Sequence, residues 1–129
     1  MHVTAAVFKR GNSVLLMRRG PNQPLAGQWE YPGGKFEPGE TGPQCLKREL
    51  FEELGINASI GDLITVATHD VGNGKTLHLH AYEITRYEGK ISLRVHDWMR
   101  WVPVSQLLAH PQLPADLHVS RILAGARGR

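Results

Sequence analysis

Apolar residues fall in short runs over most of the chain, and one central stretch has the spacing of an amphipathic helix. The first two runs, residues 3–8 and 13–18, are separated by a polar segment that contains Gly11 and Asn12. Short apolar or β-branched runs bounded by turn residues are typical of strands, and Gly-Asn favours a tight hairpin turn. The pattern therefore predicts two antiparallel strands at the start of the chain.

A region rich in loop residues follows. Residues 20–28 have loop composition, residues 29–31 read Trp-Glu-Tyr, and residues 32–40 contain two prolines and three glycines. Because proline restricts the backbone and glycine allows sharp bends, we predict a short buried strand at 29–31 followed by a bent and pinned loop.

The central helix is predicted from its capping residues as well as from its period. Thr41 suits the N-cap, Gln44 stands three residues later as in a capping box, and Pro43 is tolerated in the first turn. Gly55 is a natural C-terminal stop, so we expect the helix to end at about Leu54.

One face of this helix is apolar. Leu46, Leu50 and Leu54 are spaced by four residues, and Cys45 and Phe51 flank them. Such a row predicts the face that packs on the core. Cys45 is then a small buried hydrophobe rather than a reactive thiol.

Beyond the helix, apolar and polar residues alternate with the period of a strand. The predicted elements are strands at 61–69, 76–85, 91–95 and 99–102, a helical turn at 105–109 and a final helix at 115–124. Residues 71–75 contain hairpin turn residues. This order of elements favours an α/β fold in which helices cover both faces of a mixed sheet.

The composition is that of an ordinary globular protein. The chain of 129 residues suits one domain over residues 1–129, with 41% hydrophobic and 21% charged residues. Cys45 is the only cysteine, so no internal disulfide can form and a reducing compartment is expected. No apolar run has the length of a membrane span, and residues 1–4 show no signal-peptide pattern. We therefore expect a cytoplasmic protein without a membrane partner.

The net charge of +3 is a mild bias towards polyanionic ligands such as nucleotides. Much of the surplus lies near the end of the chain, at Arg121, Arg127 and Arg129, and there is no long basic stripe. A solvated surface with a loose basic tail is favoured over a nucleic-acid interface. No stable nucleic-acid partner is expected.

The central helix also carries a dense group of acids. Glu49, Glu52 and Glu53 stand at i, i+3 and i+4, where each like-charge pair costs about a few tenths of a kcal/mol. Lys47 and Arg48 cannot lie on one face with all three. The group is either a solvated acidic face or a site for a divalent cation. Mg²⁺ binds one or two carboxylates together with substrate phosphates, and the preceding glycine loop offers backbone groups to a phosphate chain. The acids and the loop suggest metal-assisted chemistry on phosphates.

The same residues resemble the Nudix box. Gly34, Glu40 and the segment 48–56, Arg-Glu-Leu-Phe-Glu-Glu-Leu-Gly-Ile, fill every signature position. Seven fixed identities at roughly 1 in 15 each would match by chance about once in 10⁸ registers. Three further segments look like the MutT-like branch of the Nudix hydrolases, namely residues 26–35, 101–102 and 113–116. The resemblance therefore covers essentially the whole chain.

This resemblance implies an α/β/α sandwich around a mixed sheet and the Mg²⁺- or Mn²⁺-dependent hydrolysis of a nucleoside diphosphate linked to another moiety. Glu49, Glu52 and Glu53 would hold the metal, helped by the Gly33 carbonyl. The metal would polarise phosphorus and lower the pKa of bound water. Glu49 is one candidate for the general base, and Arg48 would orient it through a charge-assisted hydrogen bond.

The resemblance also implies roles for three residues around the acids. Glu40 would brace the loop or the outer metal shell. Lys35 would stabilise charge on the leaving phosphate, and Gly34 would contact the substrate.

The nucleobase would face Arg19, Tyr31 and Asp116 by the same resemblance. The MutT pattern has Asn where this chain has Asp116. An ionised Asp only accepts hydrogen bonds, so Asp116 would suit the N1–H and 2-amino group of guanine or 8-oxoguanine, or the 4-amino group of cytosine. The alternative is that Asp116 is the N-cap of the last helix. His78 and His80 either line the cleft or, as we favour, face solvent.

One position departs from the family pattern. MutT-like proteins often supply a further metal-binding Glu from the segment before the Trp-Val strand, and Val95 stands there in this chain. Asp97 or water would replace it. His96 is expected to be a surface or hydrogen-bonded histidine.

We therefore expect a MutT-like nucleoside triphosphate pyrophosphohydrolase that releases a nucleoside monophosphate and pyrophosphate, acting on oxidised nucleotides such as 8-oxo-dGTP. One alternative is an enzyme that prefers CTP or modified cytosine nucleotides. A second is a non-catalytic nucleotide-binding domain, which the complete acid set argues against. An RNA 5′-end hydrolase is a weaker option for a short chain without a basic groove. We expect a monomer or a weak homodimer.

Overall fold

Each turn predicted from the sequence lies where the structure has one. The computed structural model describes residues 1–127, so Gly128 and Arg129 of the expected basic tail lie outside the described residues. The elements, in chain order, are β1 (His2–Arg10), β2 (Ser13–Arg19), β3 (Trp29–Glu30), α1 (Gly42–Leu54), β4 (Asn57–Gly72), β5 (Lys75–Glu88), β6 (His96–Pro103), a 3-10 helix (Val104–Ala109) and α2 (Pro114–Arg127).

The six strands form one mixed sheet, as predicted. The order is β3-β2-β1-β5-β4, and β6 pairs with β2 along the whole length of that strand. β1 and β5 are parallel, whereas the other strand pairs are antiparallel. Because side chains alternate along a strand, Ala5 and Val7 of β1 pack in the core under α2, and Ala6 and Phe8 pack in the core under α1. The α/β/α sandwich is confirmed.

β1 and β2 separate soon after their hairpin, because their register covers only two residue pairs next to the turn. The loop that precedes α1 lies along the β1 backbone beyond this point. The backbone N–H of Thr4 donates to the Gly34 carbonyl at 2.8 Å, and that of Ala6 donates to the Pro32 carbonyl at 2.8 Å. The glycine-rich loop is therefore held at one end of the sheet.

The caps predicted for α1 are all present. The Thr41 hydroxyl accepts from the Gln44 backbone N–H at 3.3 Å, and the Gln44 side chain accepts from the Thr41 backbone N–H at 3.0 Å. Gly55 ends the helix with a φ of 71°, a left-handed conformation that suits glycine. Phe51 is wrongly predicted for the core face, because 61% of its surface is exposed.

The strand predicted at 91–95 is absent from this fully described part of the chain, where the segment instead binds the end of α1. The Ser92 N–H donates to the Leu54 carbonyl at 2.9 Å. The Arg94 guanidinium donates to the carbonyls of Phe51 and Glu52 at 3.2 and 3.3 Å. A cation near the C-terminus of a helix interacts favourably with its dipole. The apolar residues at 91 and 93 pack on the core under α1 rather than in a ladder.

Among residues 1–127, no helix is both long enough and apolar enough to cross a membrane.

Candidate active site

The glycine-rich loop and α1 meet in a close contact between Gly34 and Glu49. A Cβ atom at Gly34 would collide with the Glu49 carboxylate, and a Cβ atom at Gly33 would collide with the carbonyl of Thr4. Both positions therefore need glycine because the loop is pressed between β1 and α1. The contact places the Glu49 carboxylate directly against the loop backbone.

Arg48 connects the loop to two of the three clustered acids. Its guanidinium donates to Glu49 at 2.9 Å, to Glu52 at 3.1 Å and to the Lys35 carbonyl at 3.1 Å. It also donates to both carboxylate oxygens of Glu40, at 2.7 and 3.0 Å. Arg48 thus relieves much of the repulsion among the acids, which we had expected a metal ion to offset. It orients Glu49 and Glu52 at the same time.

Glu40 is bound strongly in this network. Besides the two bonds from Arg48, it accepts the Glu37 backbone N–H at 2.8 Å. The hydrogen bonds from Arg48, and then the Glu37 N–H, hold the pKa of the Glu40 carboxyl at about 2. Glu40 therefore stays ionised and braces the loop that carries Gly33 and Gly34.

Glu53 stands four residues after Glu49 on α1, whereas the side-chain hydrogen bonds of Arg48 to acids go to Glu40, Glu49 and Glu52. Its Oε1 is buried and has no hydrogen-bond partner in the described part of the chain. Burial, followed by the hydrogen bond and the charge of Glu49 and then by the charge of Glu30, raises the pKa of Glu53 to about 9. The Gly33 backbone acts in the opposite direction. A carboxyl group with an unpaired oxygen in such a setting is typical of a binding site.

These residues have the chemistry that a hard divalent cation requires. The donors are carboxylate oxygens and a backbone loop, and the unpaired Glu53 oxygen lacks only a positive partner. With the side chains as they stand, no three His, Cys, Asp or Glu groups within residues 1–127 form a metal cluster. Glu49 and Glu52 are bound by Arg48 instead.

A cavity of about 320 Å³ adjoins the acids. Glu53, Gly33, Gly34 and Lys35 line it, and we call this group the phosphate end. Arg19, Tyr31, Asp116 and Glu30, an acid that was not predicted from the sequence, also line it, and we call this group the base end. The structure thus brings residues predicted for the phosphate and for the nucleobase to one cavity, whereas Arg48, Glu49 and Glu52 are not among the residues that line it.

Asp116 is not the N-cap of α2, because the helix begins two residues earlier, at Pro114. It lies in the first turn, is only 6% exposed and accepts the Tyr31 backbone N–H at 2.9 Å. Burial raises the pKa of Asp116 to about 7, the Tyr31 N–H lowers it, and the charge of Glu30 raises it further. The capping alternative is therefore wrong, and Asp116 joins α2 to the strand that carries Glu30.

Tyr31 directs its hydroxyl into the core. The hydroxyl hydrogen-bonds to the Ser120 side chain at 2.6 Å, and burial raises the pKa of the phenol above its ordinary value. Since the hydroxyl is occupied, the ring and the backbone of Tyr31 are what this residue offers to the cavity.

Arg19, Glu30 and His96 form a connected group at the same end. Arg19 donates to Glu30 at 2.9 Å and to the Pro24 carbonyl at 2.6 Å, and His96 contacts the second Glu30 oxygen at 2.8 Å. The prediction that His96 is hydrogen-bonded holds, but its side chain is 1% exposed and is not on the surface. The sequence does give one indication of Glu30, because it is a charged residue between two aromatic residues of a strand that is predicted to be buried.

Asp97 does not take the place of the acid that is missing at Val95. Its carboxylate is bound by the Arg18 guanidinium at 2.9 and 3.2 Å. Val95 lines the cavity, whereas Asp97 is not among the residues that line it. This geometry favours water over Asp97.

His78 and His80 lie on the face of β5 opposite the cavity, which Leu77 and Leu79 line from the same strand. His2 stacks on His78 with ring centroids 4.5 Å apart and hydrogen-bonds to His80 at 2.9 Å. Burial, followed by the charges of His2 and His78, lowers the pKa of His80. The cleft interpretation of these histidines is therefore wrong.

Comparison with known proteins identifies the class. The model of the NUDIX domain matches residues 1–122. The chain thus belongs to the Nudix family and is a hydrolase that acts on phosphoric anhydrides.

The individual relatives place it in the MutT-like branch. It is 37% identical over 117 residues to the CTP pyrophosphohydrolase of Escherichia coli (strain K12), covering 91% of this chain and 86% of that protein. It is equally identical to the putative 8-oxo-dGTP diphosphatase 2 of Mycobacterium tuberculosis (strain ATCC 25618 / H37Rv), with 88% and 81% covered. The solution structure of the E. coli ORF135 protein superposes with a TM-score of 0.87 at 35% identity, covering 98% and 89% of the two chains.

Proposed function

We propose that the protein is a nucleoside triphosphate pyrophosphohydrolase that requires Mg²⁺, or Mn²⁺ in its place, and releases a nucleoside monophosphate and pyrophosphate. The observation that carries this proposal is the single cavity shared by Glu53, with its unpaired buried oxygen, and the polar residues of the base end. Such a cavity fits a ligand with a charged phosphate chain and a polar base. The names of the relatives from E. coli and M. tuberculosis support the same class of substrate.

The phosphate end would work through α1 and its loop. Glu49, Glu52, Glu53 and the Gly33 carbonyl would hold the divalent cation, which polarises phosphorus and lowers the pKa of bound water. Arg48 orients Glu49 and Glu52 through its hydrogen bonds. Lys35 lines the cavity beside Gly34 and would balance the charge of the leaving pyrophosphate.

The base end would recognise the hydrogen-bond donors of the nucleobase. Asp116 uses Oδ1 to accept the Tyr31 N–H, which leaves Oδ2 for the base. Arg19 is bound to Glu30 and Pro24, so it shapes this end of the cavity by holding Glu30. Oxidised nucleotides such as 8-oxo-dGTP are the proposed substrates, and removal of damaged nucleotides from the cytoplasmic pool is the proposed role.

A preference for CTP or modified cytosine nucleotides is the second candidate. It is favoured by the similarity to the E. coli CTP pyrophosphohydrolase and by the carboxylate at Asp116, which would accept from the 4-amino group of cytosine. A non-catalytic nucleotide-binding domain is disfavoured because all the acids of the box are present. We propose a monomer or a weak homodimer without a stable nucleic-acid partner.

The experiment is a panel of (d)NTPs and oxidised analogues with Mg²⁺, in which pyrophosphate and orthophosphate are measured separately. The proposal expects pyrophosphate, with 8-oxo-dGTP among the best substrates. Faster turnover of CTP forms selects the second candidate. Tight nucleotide binding without turnover of any member would leave only the binding domain.

A further inference from the structure

The pairing of β2 with β6 is irregular at one point, and there the side chain of His96 points into the interior of the protein. The register shifts between Arg18 and Arg19, and Arg19 pairs with His96. The neighbours Val95 and Trp98 are 41% and 54% exposed, whereas the His96 side chain is 1% exposed. A shift of this kind redirects a side chain. His96 is therefore buried because the local backbone directs its side chain inward, although residues close to it in the chain are exposed.

The hydrogen bonds of His96 assign its tautomer. Nε2 lies 2.8 Å from Oε2 of Glu30, and buried Nδ1 has no partner among the residues that the structure describes. A buried N–H without an acceptor costs more than an unpaired lone pair. Nε2 therefore carries a proton and donates it to Glu30.

Glu30 is held from two sides. Arg19 donates to Oε1 at 2.9 Å, and His96 donates to Oε2. A carboxylate has about four lone-pair sites, so each oxygen of Glu30 can still accept one hydrogen bond from a ligand. Glu30 lines the cavity and is close enough to Asp116 for its charge to affect that carboxyl. Two carboxyl groups thus share the base end.

A base end of this composition suits a ligand edge with more than one N–H donor. We infer that His96 is a positioning residue that holds Glu30 in the cavity and thereby makes the enzyme prefer nucleobases with an exocyclic amino group. The inference rests on the proposed nucleotide chemistry and names the feature of the base that the site selects. Arg48 orients the acids at the phosphate end independently of His96, and the charge of Glu30, which raises the pKa of Glu53, stays in place when His96 is replaced.

The test compares substrates that differ mainly at the amino group, namely CTP with UTP and dGTP with dITP. His96→Phe keeps the ring size but removes the donor, whereas the amide nitrogen of His96→Gln can occupy the place of Nε2. The preference for the amino-bearing member should fall on the order of tenfold in His96→Phe, because a hydrogen bond to a charged group is lost. The change should lie in KM, with kcat on CTP nearly unchanged, and His96→Gln should restore most of the preference.

Glu30→Gln provides the second variant. It should lose the same preference, and adding His96→Phe to it should change little, because both substitutions remove one interaction. Two results would overturn the inference. One is a loss of kcat/KM of equal size on all four substrates, and the other is a Gln variant at position 96 that behaves like the Phe variant.

Binding of α,β-imido analogues of CTP and UTP, measured by calorimetry, separates this inference from the proposed function. Selective binding that His96→Phe abolishes, in a protein without turnover, refutes the pyrophosphohydrolase and keeps the inference. Turnover with a preference that ignores His96 refutes only the inference. A wild-type protein that binds neither analogue refutes both.

Discussion

The carboxylate of Glu40 and the guanidinium of Arg48 form a two-bond ion pair, with nitrogen–oxygen distances of 2.7 and 3.0 Å. The pair connects the glycine-rich loop to the acid-bearing helix, and the same arginine orients Glu49 and Glu52. Bidentate pairs of this kind are among the stronger hydrogen bonds in proteins. The geometry of the phosphate end therefore depends on a contact that forms between residues of the protein, without a metal ion or a substrate.

The first prediction concerns this pair and pH. The pKa of Glu40 is lowered from 4.5 to about 2, chiefly by the hydrogen bonds from Arg48. A lowered carboxyl pKa contributes stability above the unfolded value, and that contribution is lost as the pH falls towards the folded value. Glu40→Gln should therefore be less stable than the wild type at pH 7, and the difference should shrink between pH 4.5 and 2. Urea unfolding at several pH values measures it.

Glu37→Gln is the matched control, because Glu37 contacts the same arginine at 3.4 Å but is 62% exposed. Its effect should be small at every pH. An undiminished deficit of Glu40→Gln at low pH would contradict the assignment.

The second prediction uses the two adjacent glycines. Gly33→Ala places a Cβ against a backbone carbonyl that cannot move, whereas Gly34→Ala places one against the end of the Glu49 side chain. Gly33→Ala should therefore lose about 1–3 kcal/mol of unfolding free energy. Gly34→Ala should remain folded but lose about 100-fold in kcat, because a displacement of about 1 Å at the reacting groups has that effect. Thermal unfolding and steady-state kinetics of both variants would show whether the two effects separate. Equal losses of stability in Gly33→Ala and Gly34→Ala would contradict this prediction.

Much of the fold was predictable from local chemistry. The capping box at Thr41 and the stop at Gly55 follow from rules that involve only a few neighbouring residues, and both are present. The segment 91–95 was not predictable in this way. Its apolar residues have the pattern of a strand, but its backbone and Arg94 bind the end of α1, a tertiary contact between residues about 40 positions apart.

The site was predictable to a different degree at its two ends. The acids follow one another along a single helix, so their spacing alone indicates a shared role. Glu30 and His96 are 66 residues apart and meet only because β2 pairs with both β3 and β6. The role of Arg48 was only partly predictable, because the spacing of the acids suggested a metal to offset their repulsion, whereas Arg48 itself binds two of them.

The third prediction concerns Glu53. Its oxygen is buried and unpaired, and burial raises its pKa to about 9. Folding around this carboxyl without a cation therefore costs stability at pH 7, where the unfolded chain would ionise it. Glu53→Gln should therefore be at least as stable as the wild type in EDTA but should lose turnover by orders of magnitude. Mg²⁺ should raise the melting temperature of the wild type and not that of Glu53→Gln. Glu88→Gln, on the outer end of β5, is the control that should keep the shift. A full Mg²⁺ shift in Glu53→Gln would contradict the metal assignment.

The fourth prediction concerns Asp116. Its pKa is raised from 3.8 to about 7 by burial, so the folded protein binds a proton more tightly than the unfolded chain. Stability from such a group is complete below pH 3.8 and is lost as the pH rises through 7. Asp116→Asn still accepts the Tyr31 N–H through its carbonyl oxygen but carries no charge. Its stability relative to the wild type should therefore increase steadily from pH 4 to pH 7. A difference that is independent of pH would show that Asp116 is already ionised at pH 4 in the fold.

The last prediction decides how the site works without an acid at position 95. Asp97 is bound to Arg18 by two hydrogen bonds and does not line the cavity. Asp97→Asn should therefore leave the affinity for Mn²⁺ unchanged and should change stability little, as expected for an exposed ion pair. Val95→Glu adds a carboxylate to a cavity that already holds Glu30 and Glu53, so it should destabilise the metal-free protein and strengthen Mn²⁺ binding. Mn²⁺ titration followed by electron paramagnetic resonance measures both variants. A loss of affinity in Asp97→Asn would make Asp97 a ligand after all, and the bond to Arg18 would then have to open when the metal binds.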